Sequence, residues 1–264
     1  METPQPPMPG LKAIIDALDP IEGGWRATIP ATWQQGRTAY GGVSAALALH
    51  AAQASDVDLP PLRSALVAFV GPLSGTVTVR ASRLRRGRNA AFIQADVEGE
   101  AGLGLRATFV FMAPMPSRID HRVETPLPFP VPGPDAMVHR GHPAVAFSQN
   151  FDLVDDVAGT GPAEWRRWVR LHDRAGLDPA VEMIAVADCL PPAALKLAGG
   201  FAPVSSMTWQ LNLVGGNPAT HDGWWLLHSG TDHARDGNSS QRMAIWNTEG
   251  ACVAEQMQSV AVFG

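Results

Sequence analysis

The sequence predicts an α+β fold of two tandem repeats, each an antiparallel sheet wrapped around a central helix. Three observations carry that prediction. Val43–Ala54 is rich in small apolar residues and holds no Asp, Glu, Lys or Arg, the pattern of a helix buried on most sides. From Leu62 to Met112 apolar residues alternate in runs joined by short glycine turns, the mark of an antiparallel meander. The order helix, strand, three-strand meander then returns after a proline-rich stretch, with a period of roughly 150 residues.

Composition narrows the classes of function. The 264 residues are 45% hydrophobic and 17% charged, as in a well-buried soluble protein. A net charge of −5 gives no general attraction to nucleic acid or to anionic membranes. No apolar run approaches the roughly 20 residues needed to span a bilayer. The cysteines, Cys189 and Cys252, are two and far apart, which excludes a disulfide framework and a CxxC metal site. Reduced thiols and a cytoplasmic location follow as the simpler expectation. Met1–Gly10 is polar and proline-rich, reads as a disordered leader, and lacks the pattern of a signal peptide.

Taken in order, Leu11–Leu18 reads as a short helix ended by Asp19-Pro20, and Glu22–Ile29 as a strand stopped at Pro30. Gly36-Arg37-Thr38-Ala39-Tyr40-Gly41-Gly42 is a loop that tightens through glycines into the first central helix. Strands follow at Arg63–Val70, Thr76–Ser82, Ala90–Val97 and Leu103–Met112. Seven prolines between Pro114 and Pro134 mark a linker. The expected units are therefore 11–113, a linker at 114–143, and 144–264. In the second unit, Ala144–Val154 and Glu164–Asp173 read as strands. Asp178-Pro179 opens a helix through Leu190, with proline at a tolerated first-turn position. Ser205–Leu213, Gly223–Asp232, Gln241–Asn247 and Cys252–Phe263 complete the set. Turns match as well: Arg86-Gly87-Arg88-Asn89 faces Arg235-Asp236-Gly237-Asn238, and Gly102 faces Gly250.

The start of the first helix is the leading candidate site. Unpaired N–H groups and the positive end of the dipole can hold an anion or oxyanion, here beside Tyr40, Gly41 and Gly42. Its second-half counterpart, Asp178-Pro179, has no glycine pair, so the oxyanion contact is placed at the first. Arg80, Arg83, Arg85, Arg86 and Arg88 concentrate positive charge in an acidic chain and could fork onto phosphates, although a solvated strand face explains most of them. Gly102-Leu103-Gly104-Leu105-Arg106-Ala107 fits a dinucleotide fingerprint but opens a strand, not a helix. His221, His228 and His233 lack metal-binding spacing, and no metal is expected.

The repeat resembles the double-hotdog acyl-CoA thioesterases, most closely the thioesterase-like branch of the acyl-CoA thioesterase II (TesB-like) family. The residues carrying the likeness are Tyr40-Gly41-Gly42, Arg86-Gly87-Arg88, Ala187-Asp188-x-x-Pro191-Pro192, Trp209 and Gly250…Gln258. It covers about residues 20–264. The resemblance implies hydrolysis of acyl-CoA to free acid and coenzyme A by activated water, within lipid metabolism. Coenzyme A enters as part of the substrate and no other cofactor is implied; a homo-oligomer of double-hotdog chains is a further expectation. Better-known members use an Asp on the strand after the second helix, a Thr or Ser on the next strand and a Gln on the last. The Gln lands on Gln258, the Asp position on Thr208, and the Thr/Ser position near Asp232-His233. A threonine hydroxyl cannot act as a general base near neutral pH. Three groups stand as replacements: Asp188 on the second helix, Asp232 and His233. Gln258 and Thr208 would then position the water, while Arg86 and Arg88 with Tyr40, Gly41 and Gly42 would hold substrate. Two other readings stay open: an acyl-CoA- or lipid-binding module that lost the acid, and an enoyl-CoA hydratase on the same fold. The hydratase normally wants an Asp/His pair near the helix start, where this chain has Arg37, Thr38 and Tyr40.

Overall fold

A computed structural model describes residues 9–123, 125–199, 202–215 and 218–263. The leader expected over residues 1–10 therefore lies, up to residue 8, outside the described residues.

The elements follow the chain closely. Helix α1 (Leu11–Asp16) leads into strands β1 (Asp19–Ile21) and β2 (Gly24–Ile29). A short ribbon, β3 (Gln34–Gln35) and β4 (Thr38–Ala39), turns into helix α2 (Gly41–Ala54). The meander follows as β5 (Leu62–Phe69), β6 (Gly75–Arg86), β7 (Ala90–Gly99) and β8 (Gly102–Met112). After the proline-rich segment come β9 (Phe151–Asp155), β10 (Glu164–Leu171) and helix α3 (Pro179–Ala187). The second meander is β11 (Val204–Leu213), β12 (Trp224–Arg235), β13 (Asn238–Trp246) and β14 (Cys252–Val262).

All but the β3–β4 ribbon join one twelve-stranded antiparallel sheet in the order β1-β2-β6-β7-β8-β5-β11-β14-β13-β12-β10-β9. The order reads as two like halves meeting at β5 and β11, which pair antiparallel from Thr208 opposite Ala68 to Asn212 opposite Ser64. Each half curls around one helix, and α2 and α3 pack against each other inside. Helix α2 buries ten of its fourteen residues, as its uncharged small-residue composition requires. Helix α3 is capped as its sequence foretells: the Asp178 carboxylate accepts from the Ala180 and Val181 N–H groups, with Pro179 in the first turn. Asp236 and Gly237 both take positive φ at the β12–β13 turn, which suits the right-handed twist of a two-residue hairpin.

One expected strand is different. Ala146–Asn150 is a 3-10 turn, and β9 begins only at Phe151. Tertiary contacts override the local extended preference here. The Asn150 side chain donates to the Thr32 carbonyl at 2.8 Å, and Phe147 stacks on Tyr40 with ring centroids 4.1 Å apart. The proline-rich segment also has a packing role. Leu127, Phe129 and Ala136 lie against Val154, Trp168, Trp224, Leu226 and Trp246 on the outer face of the second half-sheet. The Trp168 indole donates to the Pro130 carbonyl at 2.7 Å, and Arg166 donates to Pro128 at 2.8 Å.

Candidate active site

Side chains alternate across a strand, so the sheet has an inner face toward the helices and an outer face. In the first half the inner positions of β5 to β8 are apolar, among them Ala65, Val67, Ile93, Ala95, Ala107 and Phe109. The inner face of the second half carries buried Ser229, Thr231, Ser239, Gln241, Gln256 and Gln258. Buried polar groups need partners. Of the two halves, only the second builds a polar network under its helix among the described residues.

That network ends on Asp188. Asp188 caps the C-terminal end of α3, where it meets the N-terminal end of α2. Gln258 Nε2 donates to Asp188 Oδ1 at 2.8 Å, and the Gly42 backbone N–H bonds to the same carboxylate. Behind Gln258, Gln241 Nε2 donates to Gln258 Oε1 at 2.5 Å, and Gln241 Oε1 accepts from the Ala193 N–H at 3.1 Å. Thr231, Gln241, Gln258 and Trp209 stand side by side on four adjacent strands, β12, β13, β14 and β11. The Trp209 indole donates to Gln256 Oε1 at 2.7 Å, so it completes the wall of this row.

Burial dominates the electrostatics of Asp188. It raises the carboxyl to about 7, against the opposing bonds from Gln258 and the Gly42 N–H, which favour the carboxylate. A carboxylate with this proton affinity accepts a proton readily near neutral pH, as a general base must. Asp188 keeps partial contact with solvent, and its Oδ2 side faces Gly41. A Cβ at Gly41 would stand 2.5 Å from Asp188 Oδ2 and 2.8 Å from the Phe69 ring. Gly41 is thus what leaves room beside the carboxylate.

The other expected site residues are distributed differently. Thr208 is exposed on the outer face, away from Gln258. A bulge in β11 between Ser206 and Thr208 shifts the register, and the buried Trp209 takes the inward position opposite Gln258. Asp232 sits at a bulge in β12 between Thr231 and His233, is exposed, and pairs with Arg242 on the outer face. His233 is likewise exposed. The inward residue of that strand is Thr231, whose hydroxyl donates to the Ser240 carbonyl at 2.6 Å. Gln241 was missed altogether. Its signal is a glutamine at the inward position of Gln241-x-Met243-x-Ile245.

Tyr40 does not line a ligand surface either. It is fully buried among Trp33, Phe147 and Phe151, and its hydroxyl donates to the Ala185 carbonyl at 2.8 Å. Burial, with Cys189 and Asp188 nearby, pushes the phenol well above its ordinary range, so it stays a donor. Tyr40 therefore pins the start of α2 to the last turn of α3 and sets the distance between Gly42 and Asp188. Tyr40→Phe leaves a buried carbonyl unpaired and is expected to cost about 1–3 kcal/mol in a denaturant titration.

The arginines serve the opposite end of α2. Arg86 pairs with Asp56 at 3.2 Å and donates to the Val57 and Asp58 carbonyls at 3.1 and 2.8 Å, which ties the β6 hairpin to the turn after the helix. That turn is about 20 Å from Gly41 at 1.5 Å rise per residue. Arg88 is exposed in the hairpin loop. Neither is brought to Asp188. At the start of α3, the Asp178 carboxylate is used by its own cap and by Gln53 Nε2 at 3.1 Å. The two helix starts are chemically unlike.

Comparison with known proteins agrees with this architecture. Residues 29–112 match the acyl-CoA thioesterase N-terminal domain, and residues 120–262 match the acyl-CoA thioesterase C-terminal domain. The protein is a double hotdog by fold. It belongs to the acyl-CoA thioesterase family. Similar structures include a hot dog fold protein of unknown function from Alicyclobacillus acidocaldarius, with a TM-score of 0.81, 18% identity, and 94% of this chain and 96% of that one covered. A protein of Thermobifida fusca described as a thioesterase II has a TM-score of 0.81 at 20% identity, covering 98% and 99%. The acyl-CoA thioesterase II TesB2 of Mycobacterium marinum has a TM-score of 0.76 at 17% identity, covering 96% and 98%. No curated protein matches the sequence. No helix among the described residues is long and apolar enough to cross a membrane.

Proposed function

We propose that this protein hydrolyses acyl-CoA thioesters, with Asp188 as the general base that activates water. The observation that carries the reading is Asp188 itself: one carboxylate, poised near neutrality, held between Gln258 and the Gly42 N–H at the start of α2. The binding-only reading drew its force from the missing strand acid at Thr208. An acid supplied from the end of α3 removes that reason. Water beside Asp188 gives up a proton to the carboxylate as its oxygen attacks the thioester carbonyl carbon. Negative charge gathers on the carbonyl oxygen near the positive end of α2. The carbon–sulfur bond then breaks, and Asp188 returns its proton to the departing thiolate. Water's oxygen stays with the acid, and no covalent enzyme intermediate forms.

The test is a steady-state assay with acyl-CoAs of several chain lengths and a thiol trap for released coenzyme A. Turnover is expected, and kcat should rise with pH along a single ionisation centred near 7, because only the carboxylate form of Asp188 accepts the proton. Absence of thiol release above background for every chain length overturns the proposal. A kcat that stays flat from pH 5 to 9 removes Asp188 from the role.

A further inference from the structure

We propose that Gln241 is a positioning residue of this site: it fixes which end of the Gln258 amide faces Asp188, and so which hydrogen bond Asp188 receives. The inference rests on the hydrolytic reading for its consequence in turnover, but its geometry stands alone. The two ends of a side-chain amide are nearly the same size, so partners decide the orientation. Here the deciding partner is a backbone N–H, which only donates. Ala193 opens a 3-10 turn whose N-cap is Pro192, so its N–H is among the first of that turn and finds no partner inside it. It donates to Gln241 Oε1 at 3.1 Å. Gln241 must then turn its Nε2 toward Gln258 Oε1, at 2.5 Å. Gln258 in turn has only its Nε2 left to offer Asp188 Oδ1, at 2.8 Å. Each bond dictates the next.

Burial makes the chain strict. Gln241 is 1% exposed and Gln258 3%, so bulk water does not reorient either amide. Without Gln241, Gln258 is free to present its carbonyl oxygen to Asp188, which a carboxylate repels and to which only a protonated acid can donate. The titratable groups facing Asp188 are Tyr40 from the start of α2 and Cys189, its neighbour in the chain, with Arg167 of β10 acting on Cys189. Burial pushes the Cys189 thiol up to about 12 and the Tyr40 phenol well above its ordinary range, so both stay neutral while Asp188 titrates.

The experiment compares Gln241→Met, unbranched and without an amide, with Gln241→Glu and the unmodified protein. Asp188 is titrated by carbon-13 NMR on aspartate-labelled protein, its signal assigned by its loss in Asp188→Asn. Loss of an oriented donor raises a carboxyl, so Gln241→Met should titrate about one pH unit higher or more. Its kcat at pH 7 should fall about tenfold or more, with KM within about twofold. In Gln241→Glu the relay survives only while the new carboxyl is protonated, since it must donate to Gln258 and accept from Ala193. Its activity should therefore fall on the basic side, where the unmodified protein holds its plateau. A folded Gln241→Met with an unshifted Asp188 titration overturns the proposal. Because the NMR titration needs no turnover, that failure is distinct from failure of the hydrolytic reading, which shows as an unmodified protein that releases no thiol.

Discussion

Asp188→Asn is expected to lower kcat by about 10²–10⁴-fold, the range for loss of a general base, while KM stays within about threefold. Asparagine has nearly the same shape, and its carbonyl oxygen can still accept from Gln258 Nε2. What is lost is the ability to take up a proton from water. The same variant should gain stability on the alkaline side. The folded carboxyl sits at about 7, above its ordinary value near 3.8, so the native state binds the proton more tightly than the unfolded chain. That contribution is fully present below the unfolded value and is lost as pH rises through the folded one. The unmodified protein should therefore lose part of its stability between about pH 4 and 7 relative to Asp188→Asn, and the variant should melt higher at pH 8. Thiol-release kinetics and thermal melts at pH 5 and 8 check both halves. A variant that keeps full kcat places the base elsewhere.

The fold was legible because its signals are local and repeated. The uncharged run Val43–Ala54, the cap Asp178-Pro179, the Asp236-Gly237 turn and the alternating strands each report on neighbours in the chain. The candidate site was legible only where it rode on such signals. Asp188 follows directly from the end of α3, and Gln258 keeps the alternation of β14. Thr208 and Asp232 were misplaced for one physical reason. Each lies at or beside a bulge, and one extra residue sends the next side chain to the other face. A bulge depends on pairing across strands, which no single strand spells out. Tyr40 was misread because a phenol beside two glycines suits a ligand as well as a structural clamp. The Ala185 carbonyl 145 residues away decides between them. Gln241 shows the reverse case, since a glutamine among inward-facing apolar positions is an energetic anomaly until its two partners are known.

Gly41→Ala is expected to abolish turnover, by about 10²-fold or more, while leaving the protein folded. Two effects oppose each other. Alanine is a better helix former than glycine by about 1 kcal/mol, and Gly41 is helical without a positive φ, so the backbone accepts a side chain. The new methyl, however, would stand 2.5 Å from Asp188 Oδ2 and 2.8 Å from the Phe69 ring. The carboxylate must swing away, which lengthens its bond to Gln258, and the methyl fills the space where water would stand. Gly42 differs. A Cβ there would meet the Ala185 carbonyl at 2.6 Å and the Tyr40 ring at 2.5 Å, both fixed by the Tyr40–Ala185 hydrogen bond. Gly42→Ala should therefore unfold or strongly destabilise the protein, where Gly41→Ala should silence a stable one. Circular dichroism melts beside thiol-release assays separate the two outcomes. A Gly41→Ala protein with normal kcat would mean that substrate and water approach Asp188 from another side, and the start of α2 would lose its place in the reaction.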